Sequence, residues 1–181
     1  MTRTLIFYIS IFLASALMQS CKEPTTSPEP TAEQEKITTV KLEFKDTANG
    51  QFLNYYFRDM DMEGPKPPSQ LDTIILNTNT TYLVSTKFIN EANPNGIINV
   101  TSEVKAEEKH HIVCYSTTNS SIIIRTDSDG IYPLGLETKW FNGSASTGKL
   151  SIILKHQPGM KDGSCDLGST DVQVDFPLIV R

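Results

Sequence analysis

Val40-Lys41-Leu42-Glu43-Phe44-Lys45, then Asn49-Gly50, then Phe52-Leu53-Asn54-Tyr55-Tyr56-Phe57 is the stretch that decides the fold. Apolar residues at every second position put Val40, Leu42 and Phe44 on one face of an extended chain. Lys41, Glu43 and Lys45 fall on the other, the pattern of a half-buried strand. Asn-Gly accepts the left-handed backbone of a tight reversal, so the two runs read as a β-hairpin.

The same period recurs outward from this hairpin. Asp171 to Ile179 places Val172, Val174 and Phe176 on one face and Asp171, Gln173 and Asp175 on the other. Further strands read at Asp72 to Asn77, Thr80 to Ile89, His111 to Ser116, Ser121 to Arg125, Leu136 to Phe141 and Leu150 to His156. Turn clusters such as Asn77-Thr78-Asn79, Asp129-Gly130 and Pro158-Gly159 separate them. About eight or nine short strands predict an all-β fold, an antiparallel, immunoglobulin-like β-sandwich over residues 37–181. Trp140 shares parity with Leu136 and is expected in the core, a sugar-stacking role being the minor alternative. Val100 to Lys109 breaks the pattern: it lacks alternation, is rich in Glu, Lys and Ala, and follows Asn99, a good N-cap. It reads as one short helix inserted between strands.

Upstream of the sandwich the chain reads as an address and a tether. Thr2-Arg3-Thr4, an apolar run from Leu5 to Leu17, and Met18-Gln19-Ser20 before Cys21 resemble a lipoprotein signal peptide, residues 1–20. In lipoproteins the cysteine is acylated and becomes the first mature residue, which makes Cys21 the expected lipidation site. An ordinary secretory signal with an incidental cysteine is the alternative. The usual signal carries an aliphatic residue where Met18 stands and a small one where Gln19 stands. Lys22 to Lys36 has three prolines and no aromatic residue, so residues 21–36 read as lipidated cysteine and disordered tether. The expected location is the outer membrane, lipid-anchored, on the periplasmic face or the cell surface.

Of the 181 residues, 160 lie beyond Cys21, which suits one domain. Losing Arg3 with the leader leaves 15 basic against 21 acidic residues, a net charge of −6. Such a surface is a poor partner for nucleic acid. No second apolar run approaches the ~20 residues of a membrane helix, so the lipid is the expected contact with the membrane.

The histidines carry the candidate chemistry. His110 and His111 close the acidic segment that holds Glu103, Glu107 and Glu108, and His156 ends the strand starting at Leu150. On a helix, Glu107 and His111 would be one turn apart, with Glu103 a turn earlier. His156 shares parity with Leu150, Ile152 and Leu154 and is expected on the core side at an end of the sandwich. His111, His156, Glu103 and Glu107 are therefore the candidate metal ligands. Their nitrogen donors favour Zn²⁺ or Cu²⁺ over Ca²⁺. Since His110 and His111 would face apart on a strand, one of the two is expected to join. A solvated acidic turn beside a hydrogen-bonded histidine is the bland alternative. Asp59-Met60-Asp61-Met62-Glu63-Gly64 alternates carboxylates before a turn glycine, so Asp59, Asp61 and Glu63 are a lesser, calcium-type candidate. Asp127-Ser128-Asp129-Gly130 is its shorter echo. Cys114 and Cys165 could pair as a disulfide outside the cytoplasm, or stay a buried and a loop thiol. Enzymatic signatures are missing from the sequence: it has no glycine-rich phosphate loop, serine elbow or paired-histidine metalloprotease helix, and the chain reads as a non-enzyme.

Residues from Ile37 to Phe176 resemble a family of small Bacteroidetes-type outer-membrane lipoproteins often labelled as a type 1 periplasmic binding fold superfamily. The resemblance rests on Thr38-Thr39-Val40, Arg58-Asp59-Met60-Asp61, Asn90-Glu91 with Asn93-Pro94, Thr101 with Glu103, His111 and Ser146-Thr147-Gly148. Its most specific block is Leu154-Lys155-His156-Gln157-Pro158-Gly159 with Lys161-Asp162-Gly163. In the family the acidic segment is denser in glutamate, its histidine matches His111, and the position of His110 is usually acidic. Lys105 and Lys109 depart from that pattern, and Cys114 and Cys165 stand outside it. The resemblance implies service beside an outer-membrane receptor for nutrient uptake. The label names a two-lobed α/β fold, whereas the period of two predicts a sandwich. The expectation is a lipoprotein that binds a transition metal for uptake. The alternatives are a structural or interaction module, such as an accessory subunit of an outer-membrane receptor without a small ligand, and a glycan-binding module.

Overall fold

The computed structural model describes residues 35–62 and 64–181. The expected leader, lipidation site Cys21 and tether up to residue 34, and also Glu63, lie outside the described residues. In chain order the elements are β1 (Thr39–Asp46), β2 (Phe52–Arg58), β3 (Gln70–Leu71), β4 (Ile74–Leu76), β5 (Thr81–Ile89), α1 (Val100–Ala106), β6 (His111–Thr117), β7 (Ile122–Arg125), β8 (Glu137–Phe141), β9 (Ser146–His156) and β10 (Ser169–Val180). They form a six-stranded sheet, β3-β2-β1-β5-β8-β7, and a four-stranded sheet, β4-β10-β9-β6. The fold is an all-β sandwich with one short helix, as the period of two requires, and not the two α/β lobes that the family label names.

Alternation sets the register. Val40, Leu42 and Phe44 are fully buried, as are Phe88 opposite Val40 on β5, Tyr82 farther along β5 and Trp140 opposite Tyr82 on β8. From the second sheet Leu150, Leu154, Ile152, Phe176 and Leu178 meet them. Phe44 lies at the centre, edge-on to Trp140 at 4.9 Å, Tyr55 at 5.7 Å and Tyr82 at 5.8 Å. The indole N–H of Trp140 donates to Thr138 at 2.8 Å, so the ring is satisfied inside and cannot stack on a sugar. Asp46 closes the β1–β2 hairpin by accepting from Ala48 N–H and the Asn49 amide, and Gly50 takes φ of +75°.

Two features depart from the expected antiparallel set. β3 is a two-residue addition, and β4 pairs with β10 in parallel, Ile75 opposite Ile179. The helix also ends early, at Ala106, and Glu107 to His110 form turns rather than a further helical turn. Val100 and Val104, spaced i and i+4, bury its inner face, while Thr101 bonds the N–H and C=O of Phe88 to fix it on β5. The side chain of Asn99 makes no capping bond.

The loop from Gln157 to Gly168 is clamped onto the end of the sandwich. Cys165 is bonded to Cys114 of β6. The Gln157 amide donates to the carbonyls of Ser164 and Leu167, at 3.1 and 2.9 Å. Lys161, 3% exposed in its side chain, pairs with buried Asp129 at 2.8 Å and donates to the Glu108 carbonyl at 2.7 Å. That last bond, with Gln157 N–H to His110 C=O at 2.5 Å, fixes the Glu107–His110 turn from below.

Candidate metal centre

β6 and β9 pair antiparallel with His111 directly opposite His156. The two imidazoles stack, with centroids 4.6 Å apart and planes at 12°. His110 leaves the turn on the same side, 6.4 Å from the His156 ring. Strand parity alone would send His110 away from His111. It joins because it precedes the first β6 residue and its backbone is still in the turn.

The donor atoms fall into two sets. Glu107, His110 and His156 form one, and Glu35, Glu107 and His111 the other, with ligand atoms in each set within 4.8 Å of one another. Glu107 belongs to both. A ring nitrogen's lone pair lies in the ring plane, so rings stacked at 12° aim their lone pairs within two nearly parallel planes that do not meet near either ring. The structure thus brings the four sequence-predicted residues into one neighbourhood but does not turn His111 and His156 onto a single ion position. Glu103 takes a different role: its side chain hydrogen-bonds the Glu35 carboxyl.

His111 is fully buried. Its Nδ1 lies 3.3 Å from the Glu107 carbonyl oxygen, the only acceptor that a neutral ring needs for its N–H. That assignment leaves Nε2 as a bare lone pair, and no hydrogen-bond partner for it exists among the described residues. An imidazole oriented by a carbonyl at one nitrogen and open at the other is the usual posture of a metal ligand. Asp171 Oδ2 stands 3.7 Å from Nε2. This is too long for a hydrogen bond. Two donors on one tetrahedral ion at ~2.0–2.2 Å stand about 3.4–3.6 Å apart, so the spacing suits a shared ion. His156 Nδ1 is likewise buried and lacks a partner among the described residues.

Charge accumulates here. Burial pushes the Glu35 carboxyl up to about 7, with Glu103, Asp171 and Glu107 adding to the rise. Burial lifts Asp171 to about 6, against the Glu35 backbone N–H that it accepts. Burial holds His111 down at about 4, the Glu107 carbonyl opposing, and lowers His156 as well. Around neutral pH the cluster therefore offers unprotonated imidazoles among carboxyls that give up their last protons only at the top of their range. A divalent cation relieves both conditions at once.

Sequence reasoning missed two members. Glu35 falls in a stretch whose composition reads as tether, although Ile37, two residues on, is already core at 4% exposure. Strand parity with Gln173 and Asp175 assigns Asp171 to the outer face. A bulge between Thr170 and Val172 makes it the extra residue of β10 and turns it inward, 9% exposed.

The calcium-type loops fare differently. Asp59 and Asp61 both line a cavity beside β10, and Glu63 lies outside the described residues. The Asp127 carboxylate is occupied by the N–H groups of Gly135 and Leu136, and Asp129 by Lys161 and the N–H groups of Ile131 and Tyr132. Turn chemistry accounts for both. Compared with family models, curated proteins and solved structures, the chain matches none.

Proposed function

We propose that this protein is a lipid-anchored β-sandwich that captures a divalent transition metal, Zn²⁺ or Cu²⁺, for uptake through an outer-membrane receptor. Capture takes place at Glu107, His110 and His156, with Glu35 and His111 as the adjoining inner donors. The observation that carries the reading is the convergence of three histidines and two glutamates from three separate segments, with His111 Nε2 and His156 Nδ1 both buried and bare. Nitrogen donors select borderline metals, since hard ions prefer all-oxygen shells. Glu107 and His110 are exposed, which gives an ion a way in, whereas His111 is not. The anchor supplies location: a collector held at the membrane by Cys21 raises the local concentration of ion at its receptor.

Metal analysis and calorimetry on the full chain test this. Micromolar or tighter Zn²⁺ or Cu²⁺ binding is expected, lost in Glu107→Gln and in His156→Ala and kept in Asp61→Asn. Binding that survives both of the first two variants removes the centre, and absence of binding in the wild type leaves an interaction module whose partner is sought by pull-down. Acyl labelling that disappears in Cys21→Ala tests the anchor separately.

A further inference from the structure

Next to the metal-ligand cluster, where β2 runs out toward Asp59 and β10 begins, the surface opens into a cavity of about 620 Å³. That is the size of a small-molecule site. Its charged wall is one-sided: Glu35, Asp59, Asp61 and Asp171 face a single Lys36. Its remaining wall includes Ile37, Phe57, Met62 and Val172, a hydrocarbon and aromatic lining.

Asp59 is the unusual member. The residue is 8% exposed, and its Oδ1 is buried without a hydrogen-bond partner among the described residues. Its backbone N–H is tied to Thr38 C=O at 2.8 Å, which fixes the residue against the start of β1. Burial and the Asp61 carboxyl, which lies within hydrogen-bonding reach, push the Asp59 carboxyl above its ordinary range, against the backbone N–H groups of Asp61 and Met62, so a cation placed beside the two acids is favoured. A buried carboxylate oxygen left bare carries a desolvation cost, and a ligand that reaches it recovers that cost.

We propose that this cavity binds a small organic cation, an ammonium or guanidinium group on an apolar body, with Asp59 and Asp61 as its counter-charge. The wall composition selects the class. An anion meets four carboxylates. A neutral donor can bond Asp59 Oδ1 but leaves the charge of the two carboxyls uncompensated. A calcium ion needs six to eight oxygens and gains nothing from Ile37, Phe57 and Val172, whereas an alkyl or aryl body is drawn to that lining and its cation to the Phe57 ring. The cavity shares Glu35 and Asp171 with the metal cluster, but the counter-charges proposed here, Asp59 and Asp61, belong to neither ligand set, so the two readings can fail separately.

The test is calorimetry on the full chain in EDTA, with phenethylammonium as probe and 2-phenylethanol as its uncharged counterpart. Phenethylammonium is expected to bind at least tenfold more tightly than the alcohol. Asp59→Asn and Asp61→Asn should each weaken it at least tenfold, and His156→Ala should leave it unchanged. Met62→Lys, a substitution at a position 39% exposed on the cavity wall, brings an internal ammonium to the cavity and should abolish binding while leaving the melting temperature close to that of the wild type. Equal affinity for the alcohol, or full affinity in Met62→Lys, overturns the proposal. So does Ca²⁺ that, in a second titration without EDTA, displaces the amine at lower concentration.

Discussion

Asp171→Asn should make the metal-free protein more stable, and only at the pH values where Asp171 would be charged. Burial raises this carboxyl to about 6 from its ordinary 3.8. A raised folded-state value means that the native state holds a proton which the unfolded chain has already released, so stability is lost as pH climbs from about 4 to about 6. The full linkage is the 2.2-unit difference at 1.36 kcal/mol per unit, about 3 kcal/mol above pH 6. Asparagine keeps the shape and can still accept the Glu35 N–H, but it carries no charge. Allowing for screening at a site open to the cavity, the gain is about 1–3 kcal/mol at pH 8 and near zero at pH 4. For a domain of this size that is a rise in melting temperature of roughly 3–9 °C. Histidine 111 runs the other way: held at about 4, it adds stability as pH rises through 4 to 6.5. It is present in both proteins and largely cancels in the difference. Thermal melts of both proteins at pH 4 and pH 8 in EDTA give the answer, followed by Zn²⁺ titration, in which the variant should bind more weakly. A variant no more stable than wild type at pH 8, or equally stabilised at pH 4, refutes the reasoning.

Three further outcomes follow from the framework around the site. Replacing Cys114 and Cys165 by serine opens a cross-link spanning 51 residues, which should lower stability by about 4 kcal/mol at most, read from the denaturant midpoint. Lys161→Met strands Asp129 in a setting only 4% exposed and should cost about 3–5 kcal/mol at pH 7. Burial would raise the Asp129 carboxyl, but Lys161 and two backbone N–H groups hold it down at about 2, so the pair's contribution is present above pH 4 and fades toward pH 2. The gap between wild type and variant should narrow accordingly, as denaturation at pH 7 and pH 2.5 will show. Trp140→Ala empties the centre of the core beside Phe44 and should cost about 3–5 kcal/mol in equilibrium unfolding.

The sandwich was legible because burial on one face imposes a period of two, and Val40, Leu42, Phe44, Val174 and Phe176 obey it without exception. Which strands become neighbours was not, since β1 meets β5 and β4 meets β10 through contacts far apart in sequence that no local pattern encodes. The same division runs through the site. His111 and His156 could be named from their positions at element ends, and their pairing follows from the β6–β9 register. Glu35 was hidden by its neighbours, because composition averages over a window while burial acts on one residue. Asp171 was hidden by a bulge, a one-residue slip that reverses parity and leaves no mark in the alternation of Val172, Val174 and Phe176. His110 was discounted by strand logic that begins one residue too late for it.

Two of those hidden residues, Glu35 and Asp171, are also destabilising ones, and that coincidence carries functional weight. Residues selected for packing lower the energy of the apo fold; Glu35 and Asp171 raise it at neutral pH, both held above their ordinary titration range by burial, with Asp171 and the neighbouring glutamates adding to the rise of Glu35. Beside them His111 stays unprotonated, so it cannot supply the compensating positive charge. Lysine 155, the cation that acts on Asp171, sits half-exposed on β9, and Lys105 and Lys161 are engaged with Glu108 and Asp129. The rigid elements gathered around the cluster, the Cys114–Cys165 bridge, the Gln157 amide and the Lys161 ammonium, supply what holds such an arrangement in place without a ligand. A divalent cation among these donors would convert carboxyl repulsion and bare imidazole lone pairs into bonds and release the retained protons. Binding should therefore acidify an unbuffered solution and stabilise the fold together, a pairing that a merely structural acidic turn does not produce.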